Sequence, residues 1–227
     1  MKILLTGNPN VGKTTLFNAF TGAHNRTGNY HGVTVGVSSR PSSKRLGLGE
    51  ICDLPGLYSL DGLSMEERLA GEYINRQEGE GLALQGADAT FLKRSLKLTK
   101  SLLARGIPVV LALTMGRKFR ARGGKLDCGR LSEKLGIKCV EVDALRKKSV
   151  REFSEYLKTL FPALSGYKAA CLRSPVGERT FDADAFVVQP SFSECYSPAP
   201  FEANRLTKLS LNGFFALPAF FLLAGLV

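Results

Sequence analysis

The sequence predicts an α/β fold in which helices cover both faces of a mainly parallel sheet. Up to about residue 160, short apolar runs alternate with segments of helical spacing, which is the pattern of strand–helix units. The length of 227 residues suits one such domain with an appendage. Apolar residues make up 44% of the chain and charged residues 22%, so the chain can bury a core and wholesale disorder is excluded.

The first part of the chain is predicted to hold strands at 2–6, 33–38 and 46–53 and a helix at 14–21. A polar turn, Pro41-Ser42-Ser43, separates the second strand from the third. Ser64 and Glu67 form the pattern S-x-x-E, in which each side chain satisfies a free amide of the first helical turn. The pattern predicts a helix over 65–77.

The second part begins with a weaker strand candidate at 82–87, because Gln85 and Gly86 interrupt its apolar run. Residues 107–113 are apolar and rich in β-branched side chains, as in a central parallel strand. Further elements are predicted as a helix at 91–105, a helix capped by Asp127 and reaching Leu135, a strand at 137–142, and a last helix opened by Ser149 and Glu152 and reaching about Leu160.

The composition changes after Phe161, where five prolines punctuate a stretch of low periodicity. We therefore predict a first domain at 1–161 and a linker or shortened helical module at 162–205. All residues from 213 to 227 are non-polar, and Arg205 and Lys208 precede them, as on the cytoplasmic side of a membrane helix. A membrane-spanning helix needs about 20 apolar residues, and the run at 213–227 is shorter than that. We therefore expect 206–227 to be the start of a transmembrane helix. The alternative is a buried C-terminal helix, which the lack of a polar face disfavours.

Charge and cysteine content narrow the function classes. The five cysteines include no C-x-x-C pair, which argues against a disulfide framework or a zinc ribbon and favours reduced thiols. The net charge is +11, and residues 91–151 alone carry 17 Lys and Arg against 4 Asp and Glu. Such a stretch can attract nucleic acid, anionic lipid or nucleotide phosphates. A solvated surface without a partner is the alternative.

A phosphate-binding motif carries the main functional prediction. Gly7-Asn8-Pro9-Asn10-Val11-Gly12-Lys13-Thr14 fits G-x-x-x-x-G-K-[ST] between a predicted strand and a predicted helix. Backbone amides of such a loop form a nest for phosphate, and the helix N-terminus adds positive charge. Lys13 is expected on the β- and γ-phosphate oxygens, and the Thr14 hydroxyl on Mg²⁺. We call residues 7–14 the phosphate loop.

A second motif follows the third predicted strand. In Asp53-Leu54-Pro55-Gly56, the carboxylate can hold Mg²⁺ and the glycine amide can reach a γ-phosphate. Between the two motifs, Thr34 lies in a polar segment where its hydroxyl can complete the Mg²⁺ shell, although an ordinary strand residue is the alternative.

These runs resemble the G domain of the ferrous iron transport protein B family. The resemblance rests on residues 7–18, on Gly28-Asn29-Tyr30-His31-Gly32-Val33-Thr34-Val35, on 53–60, on Asp88-Ala89-Thr90 and on 103–113, and it returns at 208–223. It implies a Ras-like P-loop GTPase, a three-layer α/β sandwich that binds GTP or GDP with Mg²⁺. It also implies K⁺ held by Asn10. Leu57 occupies the position at which many GTPases carry a water-orienting Gln, so slow hydrolysis is expected.

The resemblance also implies partners and a location. It places the G domain on the cytoplasmic side of the inner membrane, joined to a ferrous iron permease and served by small iron-transport accessory proteins; no nucleic acid is expected. The catalytic candidates are Lys13, Asn10, Thr34 and Gly56, and the metal candidates are Thr14, Thr34 and Asp53 for Mg²⁺ and Asn10 for K⁺. The nucleotide-binding candidates are residues 7–14, Thr15, Gly32, Val33, Thr34, Asp53, Leu54, Pro55, Gly56, Thr114, Met115, Arg117, Asp143 and Ala144.

The sequence departs from this family where the base is read. The family uses Asn-x-x-Asp, whereas this chain has Thr114-Met115-Gly116-Arg117, and Arg117 is a donor-only side chain. The next loop has Asp143-Ala144 where the family has Ser-Ala. Asp143 could substitute as the acceptor, or the basic run 117–125 could contact lipid headgroups. Two other functions remain open, namely a nucleotide-binding module that does not hydrolyse and a soluble RNA-associated GTPase.

Overall fold

The structure, a computed structural model, describes residues 2–24, 37–60, 64–76, 81–171 and 190–198. Within these residues the main sheet has six strands in the order β2-β3-β1-β4-β5-β7, and a two-stranded sheet pairs β6 with β8. The strands are β1 (Lys2–Gly7), β2 (Ser38–Pro41), β3 (Glu50–Asp53), β4 (Leu82–Asp88), β5 (Val109–Thr114), β6 (Lys125–Leu126), β7 (Lys138–Glu141) and β8 (Tyr196–Ser197).

Helices pack on both faces of the main sheet. They are α1 (Lys13–Thr21), α2 (Met65–Arg76), α3 (Leu92–Ala104), α4 (Gly116–Ala121), α5 (Cys128–Leu135), α6 (Lys147–Cys171) and α7 (Pro190–Cys195), with a 3₁₀ turn at Ala89–Phe91. Successive side chains of β1 point to opposite faces of the sheet. Ile3 and Leu5 pack with the aromatic residues of α1 and α6 on one face, and Leu4 packs with α2 and α3 on the other. The predicted α/β fold with a mainly parallel sheet is confirmed.

The strand register brings the predicted motifs to one edge of the sheet. β1 pairs in parallel with β3 and β4, so that Leu5 lies opposite Asp53 and Gly7 opposite Gly86. β4 and β5 are also parallel, with Asp88 opposite Thr114. The segments that follow β1, β3, β4, β5 and β7 therefore leave the sheet at the same edge, where ligands of open parallel sheets bind.

The strands on either side of the predicted polar turn differ from the prediction. Pro41 belongs to β2 rather than to a turn, which is possible because β2 is the edge strand and needs no proline N–H. The third strand was predicted from residue 46 but begins at Glu50. Gly47 and Gly49 have φ angles of 60° and 78°, which are incompatible with a strand. Of the predicted strand at 33–38, residues 33–36 lie outside the described residues.

The weak strand candidate is a central strand of the sheet. Gln85 lies in the middle of β4, and its side chain is completely buried. Its amide nitrogen donates to the Ser95 carbonyl over 2.8 Å, and its amide oxygen accepts the Thr99 hydroxyl over 2.8 Å. Both halves of the amide are therefore satisfied by α3, so the polar residue does not interrupt the strand.

After β7, the last predicted helix is longer than expected, and further secondary structure follows it. α6 begins at Lys147 and continues to Cys171, so it crosses position 162, although the proposed domain division itself stays a prediction. Ser149 is not the cap of this helix: its hydroxyl accepts the Asp143 amide over 3.0 Å. The linker prediction missed α7 and β8, where Phe192 and Tyr196 are buried and Tyr196 stacks on Phe119 at 5.2 Å. α4 and β6 were not predicted either.

The membrane prediction concerns residues that the structure does not describe. The non-polar run at 213–227 lies outside the described ranges. Within those ranges, no helix combines the length and the apolar character that crossing a membrane requires. Cys52, Cys128, Cys139 and Cys195 are free thiols, in agreement with the predicted reduced state, and the structure buries Cys52.

Candidate functional site

The phosphate loop follows β1 and turns sharply at three left-handed positions. Gly7 and Gly12 have φ angles of 135° and 89°, and Asn10 has a φ of 66°. A Cβ atom on Gly7 would lie 2.4 Å from the Gly86 carbonyl oxygen. Gly12 is the N-cap residue of α1 and has no side chain that could accept hydrogen bonds from the amides of the first helical turn. Such amides attract anions.

Lys13 folds back over this loop. Its ammonium donates to the carbonyls of Gly7 and Asn8, each over 3.0 Å, and only 9% of the residue is exposed. Burial lowers the Lys13 pKa to about 8, while the nearby Asp53 acts in the opposite direction. Among the residues that the structure describes, no carboxylate is directly bonded to this cation, which suits a site for anionic groups.

Asp53 lies at the end of β3, beside Thr14. Burial raises the Asp53 pKa to about 6, while Lys13 and a hydrogen bond from the Thr14 side chain lower it in part. The Asp53 Oδ1 atom is buried and has no hydrogen-bond partner among the described residues. A hydroxyl oxygen and an orphaned carboxylate oxygen at one place are the donor types that Mg²⁺ prefers, so both residues fit the predicted metal role.

The second motif packs directly on the phosphate loop. A Cβ on Gly56 would lie 2.9 Å from Cγ of Pro9, and the Leu57 amide donates to the Gly7 carbonyl over 3.2 Å. The Leu57 side chain is completely buried in the core. It therefore neither faces solvent nor can hold a water molecule for attack on a phosphate.

The segment after β5 is tied to the same loop. The Thr114 hydroxyl is within hydrogen-bonding distance of the Val11 carbonyl (2.8 Å) and of the Ala87 carbonyl (3.2 Å). Met115 follows with a left-handed φ of 58° and is 43% exposed. Thr114 was predicted as a base-binding residue, but its buried side chain is used to brace the phosphate loop.

Two other predicted base-binding residues face each other. Arg117 Nη1 lies 3.6 Å from Asp143 Oδ2, and Arg146 Nε lies 3.6 Å from the same oxygen. The other carboxylate oxygen of Asp143 accepts the Leu145 amide over 3.1 Å. We call Arg117, Asp143 and Arg146 the ion cluster.

The structure thus brings together the phosphate loop, residues 53–56 and residues 114–117 and 143–144 at one edge of the sheet. Gly32, Val33 and Thr34 lie outside the described residues. Sequence reasoning missed Gly86, where a Cβ would lie 3.2 Å from the Val11 side chain, and it missed Arg146. A glycine inside a strand often marks a place where another part of the backbone approaches closely. The position of Gly86 in the strand candidate could therefore have indicated its contact with the phosphate loop.

Comparisons with known proteins agree with this arrangement. A family model described as "Ferrous iron transport protein B" matches residues 1–157. An Fe(2+) transporter FeoB of Campylobacter jejuni is 33% identical over 236 residues, an alignment that covers 100% of this chain and 38% of that protein. A Porphyromonas gingivalis fusion of Fe(2+) transport protein A with FeoB is 41% identical over 143 residues, covering 62% of this chain and 17% of its own length. The chain thus spans well under half of these relatives.

Solved structures show the same fold. NFeoB of S. thermophilus bound to GDP.AlF4- and K+ is 41% identical with a TM-score of 0.62, covering 69% of this chain and 60% of that chain. The mGMPPNP-bound form is 42% identical with a TM-score of 0.60, covering 67% and 58%. The predicted P-loop GTPase fold is confirmed by this similarity.

Proposed function

This chain belongs to the ferrous iron transport protein B family, and we propose that it binds GTP and hydrolyses it slowly as the G domain of a ferrous iron transporter. The observation that carries the proposal is the placement of Lys13. Its buried ammonium lies on the phosphate loop, and the orphaned Asp53 Oδ1 lies beside Thr14. This combination supplies a cation and amides for phosphates together with oxygen ligands for Mg²⁺.

Different residues of the site bind the phosphates and the metal ion. The amides of the phosphate loop and the start of α1 bind the phosphates, and the Lys13 ammonium turns from the Gly7 and Asn8 carbonyls to the phosphate oxygens. Thr14 and Asp53 hold Mg²⁺, together with Thr34 from the segment outside the described residues. The metal, when bound, neutralises charge that develops on the phosphates.

Hydrolysis is expected to be slow. Leu57 is buried where a water-orienting side chain would be needed. We propose that the Gly56 amide contacts the γ-phosphate. Asn10 lies in the exposed part of the phosphate loop, where we propose that it holds K⁺. An S. thermophilus NFeoB structure that is bound to GDP.AlF4- and K+ supports the proposal of a bound potassium ion.

The cellular role follows from the family. We propose that the domain lies on the cytoplasmic side of the inner membrane, that residues 206–227 begin a membrane helix, and that nucleotide state biases a permease portion. The fusion of Fe(2+) transport protein A with FeoB in P. gingivalis supports a small accessory protein as a partner. The buried Leu57 favours one alternative, a nucleotide-binding module without turnover.

Phosphate release from GTP tests the proposal. The chain is incubated with Mg²⁺ and either K⁺ or Na⁺, beside Lys13→Ala and the control Lys44→Ala, which changes an exposed lysine of the β2–β3 connection. We expect slow release that is faster in K⁺, is retained in Lys44→Ala and is lost in Lys13→Ala. Binding without release would favour the module without turnover, and failure to bind GTP at all would overturn the proposal.

A further inference from the structure

The base of a bound nucleotide has one direction in which to lie. The phosphates occupy the loop after β1, and Asp53 marks the metal side on β3, which is one neighbour of β1. The other neighbour is β4, followed by β5 and β7, and the Thr114 hydroxyl ties the end of β5 to Val11. The nucleoside therefore extends over the carboxyl ends of β4, β5 and β7.

Selection of guanine at that edge requires an acceptor. The guanine ring N–H and its 2-amino group are adjacent donors, and a carboxylate is the side chain that accepts from both at once. Adenine offers an acceptor nitrogen at the equivalent ring position. A site with a free carboxylate there prefers guanine strongly, whereas a site without one loses this discrimination.

Each carboxylate that the described residues place at the carboxyl ends of β4, β5 and β7 is already engaged, whereas Asp53 lies at the end of β3, on the metal side. Asp88 Oδ1 accepts the Thr90 amide over 2.7 Å and its hydroxyl over 2.6 Å. Both carboxylate oxygens of Glu141 are bonded by the Arg120 guanidinium. Asp143 accepts the Leu145 amide through Oδ1, and Oδ2 lies between Arg117 and Arg146.

We infer that this site binds guanine and adenine nucleotides with similar affinity, because the ion cluster engages the one carboxylate of the segment after β7 that guanine could use. Arg117 cannot take over, since a guanidinium offers donors only. The amides and the Lys13 ammonium of the phosphate loop are placed for phosphates, which guanine and adenine nucleotides share, so this part of the affinity does not depend on the base. The inference rests on the proposed function, because it concerns the base end of the same nucleotide site.

Competition binding with the full chain tests this inference. GDP, ADP and IDP displace a fluorescent GDP analogue in the presence of Mg²⁺, and IDP lacks the 2-amino group. For the unmodified chain we expect dissociation constants for GDP and ADP within about threefold of each other. For Arg117→Asp combined with Asp143→Ser, which frees a carboxylate on the segment after β5, we expect GDP to gain at least about tenfold over ADP. Arg122→Gln, an exposed change that lowers the net charge by one unit as the double variant does, is the matched control and should change nothing.

The outcomes separate this inference from the proposed function. A preference of the unmodified chain for GDP over ADP of about a hundredfold or more overturns the inference and leaves the proposed function in place. Failure of every nucleotide to bind overturns both. An unselective chain whose folded double variant gains no preference contradicts the role of the ion cluster. If the double variant does not fold, the comparison in the unmodified chain decides the inference.

Discussion

The hydroxyl of Thr114 lies 2.8 Å from the main-chain oxygen of Val11, 103 positions earlier in the chain. This hydrogen bond joins the end of β5 to the phosphate loop, and the Ala87 carbonyl shares the same hydroxyl at 3.2 Å. Because Thr114 is only 5% exposed, water cannot replace the bond. The shape of the phosphate loop therefore depends on the strand that leads to the base end of the site.

Replacing Thr114 by valine tests that dependence. Thr114→Val keeps the shape but leaves two buried carbonyls without this donor, so we expect a loss of about 1–3 kcal/mol in unfolding free energy and a weaker affinity for GDP. Thr114→Ser keeps the hydroxyl and should retain most of both. Denaturant unfolding and nucleotide titration measure the two effects. Equal behaviour of the valine and serine variants would contradict the bracing role.

A steric limit at Gly7 gives a second prediction. A Cβ there would lie 2.4 Å from the Gly86 carbonyl oxygen, on a backbone with φ of 135°. We expect Gly7→Ala to lose more than about 3 kcal/mol of stability or to fail to bind nucleotide. Gly136→Ala is the control, because its φ is 65° but nothing lies within 4 Å of the added Cβ. That variant should lose only about 1 kcal/mol, and thermal unfolding of both would show whether the clash or the φ angle matters.

The buried amide of Gln85 gives a third prediction. Thr99→Val removes the donor to Gln85 Oε1, and Gln85→Leu removes the donor to the Ser95 carbonyl. Each change is expected to reduce the unfolding free energy by about 1–3 kcal/mol. The double variant should lose less than the sum by about 0.5–3 kcal/mol. Strict additivity in denaturant unfolding would show that the two side chains do not interact.

The pKa of Lys13 predicts the pH dependence of binding. Burial lowers this pKa to about 8, so in the nucleotide-free protein the ammonium loses its proton as the pH rises through that value. Phosphate binding needs the charged form, and affinity should therefore fall above about pH 8 by up to about tenfold per pH unit. Calorimetric titrations with GDP between pH 7 and 10 measure the slope. An affinity that stays constant across that range would exclude the ammonium as the phosphate partner.

Local patterns predicted most of the sheet and the phosphate side of the site. The phosphate loop, the Ser64–Glu67 cap and the Asp127 cap depend on neighbouring residues, and all of them appear in the structure. Gln85 made the prediction of β4 weaker than it should have been, because its hydrogen-bond partners lie on α3 and no local pattern reveals them. The start of β3 was set too early because the apolar residues Leu46 and Leu48 alternate with glycines of positive φ.

Long-range contacts account for what the sequence did not predict. The buried ring of Tyr196 stacks on Phe119, 77 positions earlier, at a centroid distance of 5.2 Å. The short elements α7 and β8 depend on that contact and on the pairing of β8 with β6. Similarly, Arg117 was identified as the departure from the family, but its ion pair with Asp143 is a tertiary contact.

Titration calorimetry of the chain with GDP and Mg²⁺ tests the central claim, namely that the phosphate loop with its buried Lys13 captures a nucleoside polyphosphate. The account predicts saturable binding of one nucleotide per chain, at least about tenfold weaker in Lys13→Ala and unchanged in Lys44→Ala. Absence of binding to the folded chain, or equal affinity in Lys13→Ala, would contradict it.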